Sequence, residues 1–254
     1  MKYYEQLVDL GCFTRDDVEA MSGNRETAHS VIEAYKKKRL IESVRRDLFV
    51  AMSFETKQPV PNRYAIASKA SPGAYVCHHT ALEYHGLANQ VYYEVYVASK
   101  QRFRTFEHGG LTYRHVTSPF EGGVILKADG TRVTDLERTV IDGINNIEKA
   151  GGLEELLRCI EMIPYLDGSK LIEYLQGYDK AFLYQKSGYI LDHFKDSLKL
   201  TDDFFASCQS KVPKSDRYLY GSLMREPHVR NGNWALYVPA DLRSITNKGA
   251  YYVE

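Results

Sequence analysis

Over the first fifty positions, apolar and polar residues alternate with the spacing of short helices. Tyr4, Leu7 and Val8 recur at i, i+3 and i+4, one apolar stripe of a helix that ends near Gly11. Phe13-Thr14-Arg15-Asp16-Asp17-Val18 then reads as a second helix start. Thr14 is a good N-cap, Asp17 suits the positive helix end, and Phe13 and Val18 sit where a hydrophobic staple closes. Ser22-Gly23-Asn24 cuts this helix short. A third helix starts at Ser22 or Asn24 and runs towards Arg39, with Ala28, Val31, Ile32 and Tyr35 on one face. Two β-prone runs, 40–44 and 48–51, flank Arg45-Arg46-Asp47 and predict a hairpin. Three helices, a short turn between the second and third, and a basic-tipped hairpin predict a winged helix-turn-helix over residues 1–56.

Behind Pro59-Val60-Pro61-Asn62, which reads as a linker or turn, the pattern becomes mixed. Strands are expected at 75–76, 91–98, 111–116 and 124–126, and a helix over 80–85 closed by Gly86. Thr134-Asp135-Leu136-Glu137 reads as a capping box opening a helix with Leu136, Val140, Ile141 and Ile144. From Gly151 the pattern is mainly helical, with caps at Asp167 and Thr201 and a helix over about 180–194. Short strands around 218–220 and 234–238 complete an α+β reading without βαβ regularity. Two domains are expected, 1–56 and 62–254, the second with a further division near 150.

Charge changes the picture by its distribution. The chain of 254 residues carries 33 basic and 33 acidic side chains, so net charge argues for no particular partner. Residues 36–46, however, hold Lys36, Lys37, Lys38, Arg39, Arg45 and Arg46 against the single acid Glu42. Residues 1–35 hold Lys2, Arg15 and Arg25 against seven acids. The third helix would enter the major groove and present Asn24, Arg25, Thr27, His29 and Ser30 to base edges. Lys36, Lys37, Arg45 and Arg46 would meet phosphates, adding affinity and salt dependence but no sequence information. The bland alternative is a protein-binding module of the same fold.

Candidate chemistry is sparse. The sequence holds no Walker loop, GxGxxG, GxSxG or HExxH motif. Cys12, Cys77, Cys159 and Cys208 form no CxxC pair and are expected to be reduced and buried. Cys77, His78, His79 and His85 lack the spacing of a metal-ligand set, since His79 and His85 lie on different helix faces. Asp135, Glu137 and Asp142 could serve a nuclease, but a helix start and Arg138 one turn away account for them as capping and ion pairing. The tyrosines at 92, 93 and 96 fit core or interface roles better than base stacking. No apolar run approaches the roughly 20 residues of a membrane span, and the N-terminus lacks a signal-peptide core, so a cytoplasmic location is expected.

The segment 38–50, KRLIESVRRDLFV, resembles the wing of the AbiEi-type antitoxins of type IV toxin–antitoxin systems. Residues 64–68, 74–76 and 80–87 are similar to that family's central motif, 133–142 to its later helix with Glu-Arg, and 187–191 to its C-terminal helix. Asp47 departs from the pattern where glycine is expected in the wing turn, and His78 where serine is more usual. The resemblance implies an N-terminal domain that binds inverted repeats in its own promoter, with double-stranded DNA as partner. It also implies a C-terminal domain that counters a nucleotidyltransferase-type toxin without a stable complex. The expected protein is thus a DNA-binding autorepressor and antitoxin, not an enzyme, with no cofactor, metal or membrane partner. Its rivals are a ligand-responsive regulator of the same architecture and a metal-dependent nuclease.

Overall fold

The computed structural model describes residues 2–242, so residues 243–254 of the expected second domain lie outside the described part. The fold is mixed α+β. Two compact units emerge: Met1–Val76 with Tyr92–Ser118 and Ile125–Val133, and Cys77–Val91 with Pro119–Val124 and Thr134–Glu254. The expected boundary at 56–62 therefore falls inside the first unit.

The first unit begins with α1 (Tyr4–Leu10), which stops at Gly11 with φ +64. A short β1 (Cys12–Thr14) was not expected. α2 (Arg15–Ser22) opens on the anticipated Thr14 cap, which is half of a capping box: Thr14 Oγ1 accepts from Asp17 N at 3.3 Å, and Asp17 Oδ2 accepts from Thr14 N at 2.7 Å. α3 (Arg25–Lys37) is capped by Asn24, whose Oδ1 accepts from Thr27 N at 2.8 Å. The hairpin follows as β2 (Ile41–Arg45) and β3 (Leu48–Ala51). These strands form a three-stranded antiparallel sheet in the order β1-β3-β2. Leu7, Phe13, Val18, Ala28, Ile32 and Phe49 make one apolar core beneath it. That is the burial the helical spacing called for, and it is what holds three short helices that would not persist alone.

Further along the first unit lies α4 (Arg63–Ser68), capped by Asn62. A six-stranded sheet is built from β4 (Tyr75–Val76), β5 (Glu94–Ala98), β6 (Phe106–His108), β7 (Leu111–Val116), β8 (Val124–Leu126) and β9 (Arg132–Thr134). Its order is β6-β7-β5-β4-β9-β8, with β5/β7 and β4/β9 parallel. The expected strand at 91–98 forms only from Glu94; Val91 and Tyr93 are exposed, and Tyr93 O still accepts from Thr112 N at 2.8 Å.

The second unit holds α5 (His78–Tyr84), α6 (Leu136–Asn145), α7 (Leu153–Glu161), α8 (Gly168–Tyr178), α9 (Ala181–Asp192) and α10 (Asp202–Gln209). β10 (Arg217–Tyr218), β11 (His228–Asn231) and β12 (Leu236–Pro239) form a small sheet in the order β10-β12-β11. The N-cap of α6 is Asp135 rather than Thr134: Asp135 Oδ1 accepts from Arg138 N at 2.9 Å. Thr134 is instead in β9, its hydroxyl 2.7 Å from that of Thr139. Asp167 caps α8, but the Thr201 side chain makes no capping bond to α10. In mid-α9, a Cβ on Gly188 would lie 2.1 Å from Trp234, a ring only 2% exposed. Gly188→Ala is therefore expected to destabilise by about 1–3 kcal/mol through overpacking, read as a lower urea midpoint at unchanged slope.

Candidate nucleic-acid interface

On α3, buried Ala28, Ile32 and Tyr35 fix the inward face. At about 100° per residue the outermost line then carries Glu26, Ser30, Glu33 and Lys37. Arg25, His29 and Lys36 run along one exposed flank. Thr27 lies on the other flank, half-buried beside Val31, so it is less available to a base edge than its neighbours. Asn24 is exposed, but its Oδ1 is occupied by the cap. Two glutamates thus sit among the expected base-reading residues. Glu33 accepts from Lys36 Nζ at 3.1 Å, which offsets one of them.

The hairpin treats its two arginines differently. Arg46 is 95% exposed and lies 3.6 Å from the Asp47 carboxylate. Arg45 turns back: its guanidinium donates to Ala70 O at 2.8 Å and stacks over Phe103 and Phe106, at 5.5 and 5.6 Å from their ring centroids. The phosphate-contacting role expected of Arg45 does not fit this placement, because an arginine held by a carbonyl and two rings anchors the hairpin. Glu42 on β2 adds a second tether, 3.6 Å from His108 of β6. Asp47 adopts φ +58, the left-handed conformation for which glycine was expected. Aspartate tolerates it better than most residues, and Arg15 pairs with its carboxylate at 3.0 Å. Arg15 and the exposed Lys38 and Arg39 were given no contact role from sequence. The basic run pointed to the last two, whereas nothing local linked Arg15 to residue 47.

In the second unit the suspected chemical groups have structural partners. Asp142 accepts from Arg138 Nε and from the Tyr178 hydroxyl, each at 2.6 Å. Asp135 accepts from the Tyr174 hydroxyl at 2.7 Å and Lys170 at 3.3 Å, and Glu137 accepts from Asp167 N at 3.1 Å. Lys170 also lies 3.6 Å from Glu137, so Asp135 and Glu137 share one cation while Asp142 pairs with Arg138. His79 Nε2 meets Glu155 at 3.2 Å, and His85 Nε2 lies 2.7 Å from Thr134 O. Burial lowers the pKa of His78 to about 4, so it stays neutral at pH 7. Among the described residues no cluster of three or more His, Cys, Asp or Glu could hold a metal ion. All four cysteines are free and buried, and burial pushes the Cys12, Cys159 and Cys208 thiols up to about 12. No described helix is long and apolar enough to cross a membrane.

No family model and no curated protein matches the chain. Among solved structures it is similar to the RV2827C protein of Mycobacterium tuberculosis, with a TM-score of 0.64 at 12% identity. The match covers 98% of this chain and 94% of that one. At that identity the likeness shows a shared fold alone.

Proposed function

We propose that the chain is a DNA-binding transcriptional autorepressor whose residues 1–56 form a winged helix-turn-helix. The observation that carries this reading is the order α1-β1-α2-α3-β2-β3 with its antiparallel sheet β1-β3-β2. In that arrangement α3 is the recognition helix and the β2–β3 hairpin the wing. Arg25, His29 and Ser30 read base edges, with Asn24 and Thr27 at the margins of that surface. Lys36, Lys37 and Arg46 meet phosphates, while Arg45 fixes the wing to its own unit. The antitoxin role against a nucleotidyltransferase-type toxin rests on the sequence resemblance, and the reading needs no enzymatic step, metal or cofactor. A concave cleft beside α3 favours a second reading, a ligand-responsive regulator.

Fluorescence polarisation against the DNA upstream of its own gene and against scrambled duplex, at two salt concentrations, tests the main reading. Tight, selective and salt-sensitive binding is expected. Arg25→Ala should cost about 1–3 kcal/mol on the cognate duplex and far less on scrambled DNA. Equal affinity of the native protein for both duplexes would refute the reading and point to a protein partner for this face.

A further inference from the structure

At the C-terminal end of α3 the chain encloses a cleft of about 690 Å³, within the range of small-molecule sites. Lys36, Lys38 and Arg39 come to it from the helix end, and Lys57 from the turn after β3. Lysines at a helix C-terminus answer the helix dipole, so the first three alone would mean little. Lys57 belongs to a different segment and converges on the same space. The one acid lining the cleft, Glu42, is turned to His108 at 3.6 Å. Neither Lys38 nor Arg39 meets an acid among the described residues, and both are exposed. Lys57 and Arg39 are also two of the few non-glycine residues with positive φ, +59 and +54.

The rest of the lining is apolar. Leu40, Ile41 and Met52 supply the floor, and Phe54, 51% exposed, stands at the lip with the Lys57 ammonium 5.2 Å from its ring centroid. A duplex backbone meets cations on a convex face and has no use for such a floor. A ligand with a flat, weakly polar ring and clustered negative charge satisfies both halves.

We infer that this cleft is a binding site for a nucleoside polyphosphate, its phosphates held by Lys38, Arg39 and Lys57 and its base laid against Phe54 and Met52. The site shares its walls with the end of α3 and the start of β2, so occupancy would bear on both parts of the proposed DNA surface. The inference itself does not depend on DNA binding.

Isothermal titration of the full chain with ATP, tripolyphosphate and adenosine tests it in the absence of DNA. ATP should bind one to one, with tripolyphosphate and adenosine each at least about tenfold weaker. Arg39→Gly/Lys57→Gly should weaken ATP binding by about tenfold or more, since each removed cation ends a charge-assisted hydrogen bond. Glycine suits both left-handed positions, so the variant's Tm should not fall. Failure of ATP to bind at millimolar concentration, equal binding to the double variant, or tripolyphosphate binding as tightly as ATP would each overturn the assignment. Polarisation with the promoter duplex, run without nucleotide, decides the repressor reading separately.

Discussion

Arg138→Met is expected to cost about 3–5 kcal/mol of unfolding free energy, the loss typical of stranding one partner of a buried ion pair. Arg138 is wholly buried and its Nε lies 2.6 Å from Asp142, itself 2% exposed. The guanidinium also donates to Gly122 O at 2.5 Å and sits 4.0 Å from the centroid of Phe120. It thereby fastens the 119–124 segment to α6, an attachment that continues in the bond from Asp135 N to Gly123 O at 2.7 Å. Gly123, at φ +77, admits no side chain here, because a Cβ would fall 2.8 Å from that of Arg138. Methionine keeps most of the volume and removes every one of these donors. Asp142 would be left buried with the Tyr178 hydroxyl for a partner. Urea unfolding followed by circular dichroism measures the loss. Arg138→Met/Asp142→Leu should recover a good part of it, as apolar replacements of whole buried pairs do. Arg158→Ala, which breaks the exposed pair with Glu154, should cost under about 1 kcal/mol. A single variant within 1 kcal/mol of the native protein would show that the pair is not what secures this segment.

How far the sequence foretold these features depends on the range of the interactions. The Thr14 cap, the stop at Gly11 and the i, i+3, i+4 steps of the apolar stripe of α3 are all decided within four residues. They were legible. The α6 cap was misplaced by one residue because Thr134 and Asp135 are both competent N-caps. The choice falls to tertiary contacts, which engage the Thr134 hydroxyl with Thr139 and leave Asp135 to the helix. Arg138 was readable as an ion-pair partner one turn before Asp142, but its burial and its hold on Gly122 were not. β6, β9 and β11 are three or four residues long, too short for a period-2 pattern to stand out. On the candidate surface, the basic run named a segment but not how its side chains are held. Arg45 and Arg46 are chemically alike and adjacent, yet only contacts with Phe103, Phe106 and Ala70, distant in the chain, separate the anchor from the exposed cation. The glutamates on α3 were visible as residues, and their places on the outermost line follow from knowing which face is buried.

That separation gives the DNA reading its sharpest consequence. Lys36→Ala/Lys37→Ala/Arg46→Ala should lower the slope of log affinity against log salt by about 2.7, roughly 0.9 for each lost phosphate contact. Near 0.1 M salt this amounts to about a 10²–10³-fold loss on cognate and scrambled duplex alike. The three side chains are exposed, Arg46 at 95%, so the fold should tolerate the change. Losing Lys36 leaves Glu33 unpaired on the same face, and that acid would repel the duplex further. Arg45→Ala belongs to another class. It should reduce thermal stability, because it ends the bond to Ala70 and the two ring contacts, and change the salt slope little. Polarisation titrations at four salt concentrations, with melting curves for both variants, separate the two outcomes. If Arg45→Ala flattened the salt dependence as steeply as one of the three surface cations, the wing would have to release Arg45 when it meets DNA. If the triple variant bound with an unchanged slope, phosphates would not lie along this face of α3 and the hairpin, and the recognition helix would have to be sought elsewhere.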